Sequence, residues 1–138
     1  MPDQRPNPRN VIIVLDFCHA WSTLELERIM AFLTDDCFYH NIPMDPVTGT
    51  TAIRSFLEGF LGLASEAQFV VHHAAATGAG VVLTERTDRF KIKEKWVELP
   101  VMGIFELRDG KIANWRDYFD ANQFNTQLAA ASGGVANG

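Results

Sequence analysis

Basic charge is in short supply: 12 Lys and Arg stand against 17 Asp and Glu, giving a net charge of −5, and the cations form no run. Such a chain has nothing to follow a phosphate backbone or an anionic bilayer, so neither nucleic acid nor a membrane is expected as a partner. Cysteine is scarce. Cys18 and Cys37 lack the spacing of a metal knuckle and any secretory context, and are expected to be reduced, buried thiols. Long apolar runs are missing too. Residues 11–15 come nearest to a signal peptide, but Asp16 and His19 interrupt them, no small-residue cleavage site follows, and no segment is long enough to span a bilayer. Residence in the cytoplasm is the expectation.

Several catalytic signatures are also absent. There is no G-x-S-x-G, and neither cysteine lies near a convincing His/Asp set, which removes support for triad chemistry. His72 and His73 are neighbours in a strand-like segment, where adjacent side chains face opposite ways, and His19 and His40 lack metal-site spacing. Gly78 and Gly80 lack the rest of a nucleotide-binding fingerprint. Neither a metal nor an organic cofactor is expected.

What remains is an aromatic-rich chain of 138 residues, 47% apolar, with ten Phe, three Trp and two Tyr. That length suits one domain with a sizeable core, able to surround an apolar ligand. Residues 1–8 read as a loose lead-in ending in Asn7 as an N-cap and Pro8 in the first turn of a helix that runs to about Ala20. Ser22 and Glu25 resemble a capping box opening a second helix through Phe32. Residues 37–41 read as a short strand after a break at 34–36, and residues 42–49 as a loop. Ile53, Phe56, Leu57, Phe60 and Leu61 then share one face of a third helix from about Thr51 to Gly62, a stripe that reads as core. Strands follow over residues 68–77, 81–92, 95–107 and 111–119, close enough to pair as hairpins, then a helix over 121–130 and a Ser/Gly-rich tail at 131–138. Helices first and a strand meander afterwards give an α+β domain, with helices packed on one face of a curved, mainly antiparallel sheet and a pocket between the layers.

Side chains at i and i+2 of a strand share a face, and this places charge where apolar residues belong. Val82, Thr84, Arg86, Asp88, Phe90 and Ile92 fall on one side of the second long strand, while Glu85, Thr87, Arg89, Lys91 and Lys93 fall on the other. The first side faces inward, so Arg86 and Asp88 need partners. In the last strand Ala113, Trp115, Asp117 and Phe119 share a side, making Asp117 a second inward carboxylate that Arg86 can bridge to Asp88. One reading is an ion-pair network that only ties strands together. The other is a pair of carboxylates, flanked by Phe90, Trp115 and Phe119 and facing a cavity, with proton affinities pushed apart into one acid and one base. Tyr39 and Asn41, also on one side of their strand, are either a packed Tyr and a turn-entry Asn or a pair that orients water.

Tyr39-His40-Asn41 with Pro43, then Glu85-Arg86-Thr87-Asp88, then Asn114-Trp115-Arg116-Asp117-Tyr118-Phe119-Asp120 resemble the limonene-1,2-epoxide hydrolase family, in order and approximate spacing. The resemblance runs from the first helix to Phe124. It implies a cone-shaped nuclear transport factor 2-like (cystatin-like, SnoaL-like) fold, a homodimer, and one-step, cofactor-independent addition of water to a small apolar epoxide without a covalent intermediate. By position it implies that Asp117 is the general base, that Tyr39 and Asn41 help it hold the water, that Asp88 protonates the oxirane oxygen, and that Arg86 bridges the two aspartates. It further implies that Phe90, Leu99, Val101 and Phe119 line the pocket. Since one fold hosts many activities, an isomerase, a polyketide cyclase or a non-catalytic carrier of apolar ligands are the competing readings.

Overall fold

The computed structural model describes residues 7–133. The elements are α1 (Pro8–Ala20), a 3-10 turn (Trp21–Thr23), α2 (Leu26–Met30), β1 (Leu33–Asn41), β2 (Val47–Thr48), α3 (Thr50–Leu61), β3 (Glu66–Ala76), β4 (Val81–Ile92), β5 (Lys95–Arg108), β6 (Lys111–Tyr118) and α4 (Ala121–Ser132). Asn7 caps α1 through its side-chain oxygen, which accepts from the Arg9 amide at 2.9 Å, with Pro8 in the first turn. The rest of the expected lead-in, residues 1–6, and residues 134–138 of the expected tail lie outside the described residues. Residues 131 and 132 belong instead to α4, which Gly133 terminates in the left-handed conformation.

The capping box after α1 does not form. Ser22 Oγ turns back to donate to the His19 carbonyl at 2.8 Å, Glu25 makes no side-chain cap, and the chain takes a 3-10 turn before a five-residue α2 that stops at Met30. Ser hydroxyls compete for nearby backbone groups in this way, and here the carbonyl behind it wins. The expected break at residues 34–36 is part of β1, which absorbs it as an irregularity between Leu33 and Phe38, and the loop at 42–49 contains the two-residue β2.

The six strands form one sheet in the order β2-β1-β6-β5-β4-β3. All neighbours are antiparallel except β1 and β6, which run parallel with Asn41 beside Asp117 and Tyr39 beside Trp115. On β4 the burial alternates as expected, with Val82, Thr84, Arg86, Asp88, Phe90 and Ile92 all buried. The core lies between that face and the helices, centred on Phe17 of α1, whose ring meets Trp21, Phe32, Phe105 and Trp115 edge-on. Because β5 is longer than β6, its pairing with β6 begins only at Met102. α4 supplies the missing partner: Gln127 accepts from the Glu98 amide and donates to the Glu98 carbonyl, both at 2.8 Å. That contact holds α4, and with it Phe124, over the open end of the sheet–helix layer.

Candidate active site

β4 projects Thr84, Arg86 and Asp88 to the core side, and β6 projects Asp117 to the same side two strands away. Arg86 is 1% exposed, yet every arm of its guanidinium is occupied. Nε and Nη2 donate to the two oxygens of Asp88, each at 2.9 Å, Nη2 also donates to Asp117 Oδ2 at 2.9 Å, and Nη1 donates to Thr84 Oγ1 at 3.1 Å. The cation packs on the ring of Phe69, 4.8 Å from its centroid, and Phe105 lies on a further side at 5.8 Å. A planar fork with donors on two edges can serve both carboxylates at once, which an ammonium cannot.

The two aspartates are not equivalent. Asp88 spends both oxygens on Arg86, whereas Asp117 spends only Oδ2; its Oδ1 is buried and has no hydrogen-bond partner. Burial raises the Asp88 carboxyl from 3.8 to about 6, against the opposing pull of Arg86 and with a push from the Asp117 charge. Burial disfavours the Arg86 charge, but Asp117 and Asp88 outweigh it and hold the guanidinium protonated far above its ordinary range.

Tyr39 lies beside this pair. Its ring stacks on Trp115 at 4.0 Å, which in turn is stacked with Phe105, so one aromatic row fixes the phenol across three strands. Asn41 Nδ2 donates to the Tyr39 hydroxyl at 2.9 Å, which leaves the phenolic hydrogen and Asn41 Oδ1 uncommitted by that bond. Burial and the nearby Asp117 charge push the phenol above its ordinary range, so it stays a neutral donor. The Ile42 amide donates to the Asp117 carbonyl at 2.9 Å and ties the end of β1 to the site.

These polar groups open into a cavity of about 90 Å³ that is otherwise apolar. Asp88, Asp117, Tyr39 and Asn41 line it, as do Phe90, Leu99, Val101 and Phe119, while Arg86 lies behind the carboxylates. Sequence reasoning missed most of the opposite wall. Phe56, Leu57 and Phe60 read as plain core on α3, yet they line the cavity together with Trp21, Phe69 and Phe124. Helical periodicity identifies a buried face without telling packed core from cavity wall. Thr84 was legible as inward but carried no signal for its bond to Arg86. His72 and His73 are both exposed at an irregularity in β3, where His72 Nε2 lies 2.8 Å from Thr87 Oγ1, so strict alternation does not describe them. Among the described residues no group of three or more His, Cys, Asp or Glu is arranged to hold a metal, and no helix is long and apolar enough to cross a membrane.

Comparison with known proteins gives a consistent picture. Residues 8–130 match the model of the limonene-1,2-epoxide hydrolase catalytic domain. Epoxide hydrolase EphG of Mycobacterium tuberculosis is 36% identical over 107 residues, spanning 75% of this chain and 68% of that protein. The solved structure of an M. tuberculosis LEH-like epoxide hydrolase superposes with a TM-score of 0.78 at 30% identity, covering 94% of this chain and 96% of its own. A SnoaL-like polyketide cyclase structure from Shewanella denitrificans OS-217 gives the same TM-score of 0.78 at only 14% identity, over 90% of this chain and 99% of that one, which is a likeness of fold. The chain belongs to the limonene-1,2-epoxide hydrolase family, and its open, mixed six-stranded sheet is the nuclear transport factor 2-like, SnoaL-like α+β fold.

Proposed function

We propose that this chain hydrolyses a small apolar epoxide to a vicinal diol in one step, without metal, organic cofactor or covalent intermediate. The observation that carries the reading is the asymmetry of the two buried aspartates on one arginine: Asp117 Oδ1 is unpartnered beside Tyr39 and Asn41, at the polar end of an apolar cavity. A water there donates one hydrogen to Asp117 Oδ1 and the other to Asn41 Oδ1, and accepts from the Tyr39 hydroxyl. Its remaining lone pair points at the substrate.

Asp117 takes a proton from the water as the new C–O bond forms, the ring C–O bond breaks, and Asp88, protonated up to about pH 6, gives its proton to the departing oxygen. One proton then passes from Asp117 back to Asp88 to reset the site. Arg86 holds both carboxylates at a fixed separation. Phe90, Leu99, Val101 and Phe119 present the apolar substrate face and exclude bulk water. Isomerase or cyclase chemistry on this fold needs no water-holding pair next to the base, so the Tyr39–Asn41 contact favours hydrolysis. Turnover of a panel of apolar epoxides, followed as diol release, is the test; a panel left intact by folded protein removes the proposal.

We also propose that the chain acts as a homodimer. The sheet face turned away from the helices exposes Trp96, Met102 and Tyr118, with Pro100 and Thr87 lining a shallow groove beside the last two.

A further inference from the structure

Arg86 and Asp117 stand on β4 and β6, with β5 between them. Two strand spacings make about 9.5 Å, so the guanidinium meets Asp117 only by lying across the backbone of β5. The residue of β5 at that crossing is Gly103, paired with Thr84 on one side and Asp117 on the other. Its inward neighbours in β5 are Val101, 3% exposed, and Phe105, fully buried, so the glycine interrupts an otherwise bulky apolar row.

Backbone conformation does not call for glycine here, since Gly103 is not among the residues with positive φ. A glycine in a strand interior sacrifices packing and costs entropy relative to alanine. What a Cβ would meet supplies the reason. It would overlap Arg86 Nη1, stand 2.7 Å from Asp117 Oδ1 and 3.1 Å from Thr84 Oγ1. All three are ends of side chains belonging to the buried charge cluster, and none is backbone.

We propose that Gly103 is a positioning residue of the site: its missing side chain is the saddle through which Arg86 reaches Asp117 and beside which the unpartnered Asp117 oxygen lies. The proposal rests on the hydrolase reading for its kinetic consequence, though not for its structural one. An added methyl group moves the guanidinium and the Asp117 carboxylate apart, while the two-bond contact between Arg86 and Asp88, made within β4, survives. The base then loses its cation and its alignment with the water; the acid and the apolar walls remain.

The test is Gly103→Ala, read in two ways. A crystal structure of the variant reports the geometry without any substrate: Arg86 Nη2 and Asp117 Oδ2, 2.9 Å apart in the parent, should separate beyond hydrogen-bond reach while both Arg86–Asp88 bonds remain. With an epoxide that the parent turns over, kcat should fall at least about tenfold with KM within about threefold, the split expected when the base is misplaced and the apolar walls are kept. Circular dichroism should match the parent, because the conflict is confined to movable side-chain ends. An Arg86–Asp117 bond retained in the variant, with parental kcat, overturns the proposal. So does a variant that fails to fold, since that places the conflict in the backbone. A parent protein that turns over no epoxide defeats the hydrolase reading alone, and the structure of the variant still decides the role of Gly103.

Discussion

At Asp88, burial against Arg86 and Asp117 sets a proton affinity near the middle of the accessible pH range, and two consequences follow from its sign. The carboxyl is raised from 3.8 to about 6, so the folded protein holds the Asp88 proton more tightly than the unfolded chain. The stabilisation is therefore complete below about pH 3.8 and lost as the pH rises through about 6. Unfolding by urea across that window should show the parent losing stability relative to Asp88→Asn as the pH rises. The kinetic counterpart is a fall in kcat/KM above about pH 6, close to tenfold per unit, because the proposed acid must be protonated in the free enzyme. Asp88→Asn and Asp117→Asn should each lower kcat at least about a hundredfold in folded protein, and Arg86→Lys should be severe because one ammonium cannot hold two carboxylates in a plane. Near-normal turnover in any one of these would remove that residue from the mechanism. Residue-scale legibility was high here for a physical reason: a charge on the apolar side of a period-two pattern stands out, and Arg86, Asp88 and Asp117 all did. Gly103 left a subtler mark, a missing side chain in the same inward register as Leu99, Val101 and Phe105.

Among the elements, the hairpins were the most legible, because turn residues and alternation reinforce each other. β4 runs over the expected residues 81–92, and β5 and β6 differ from expectation by one residue at their ends. The turn between β4 and β5 is less favourable than its position suggests: Lys93 and Glu94 both take positive φ, at 49° and 69°, a conformation that costs a non-glycine residue roughly 1 kcal/mol or more. Glu94→Gly should relieve half of that and raise the melting temperature by about 3 °C, losing only an exposed contact to Lys91. A lower melting temperature would show that the turn is held by its side chains. The region from Ser22 to Thr48 was the least legible, because its outcome is set by contacts that no local pattern contains. β1 is pinned by parallel pairing to the chain's last strand, and Ser22 had two equally local ways to satisfy its hydroxyl. α3 was placed correctly as an element, but its role as cavity wall depends on Asp88, Leu99 and Phe124 lying opposite, all distant in sequence.

For the molecule as a whole, the arrangement separates two faces of one sheet. The inner face holds the charge cluster and the cavity, and the outer face exposes Trp96, Met102 and Tyr118, at 36%, 50% and 47%. Covering that outer face with a second copy is the proposed assembly, and light scattering at micromolar concentration should report twice the chain mass; a monomer throughout that range would contradict it. In the reaction proposed for the inner face, water held by Asp117, Tyr39 and Asn41 is itself the nucleophile, and neither aspartate is esterified. Single-turnover hydrolysis in heavy-oxygen water, with protein in excess over an epoxide it accepts, tests this most directly. The diol of the first turnover should carry the heavy label, with inversion at the attacked carbon, and the protein should carry none. Unlabelled diol from that turnover, with label retained on Asp88 or Asp117, would contradict it.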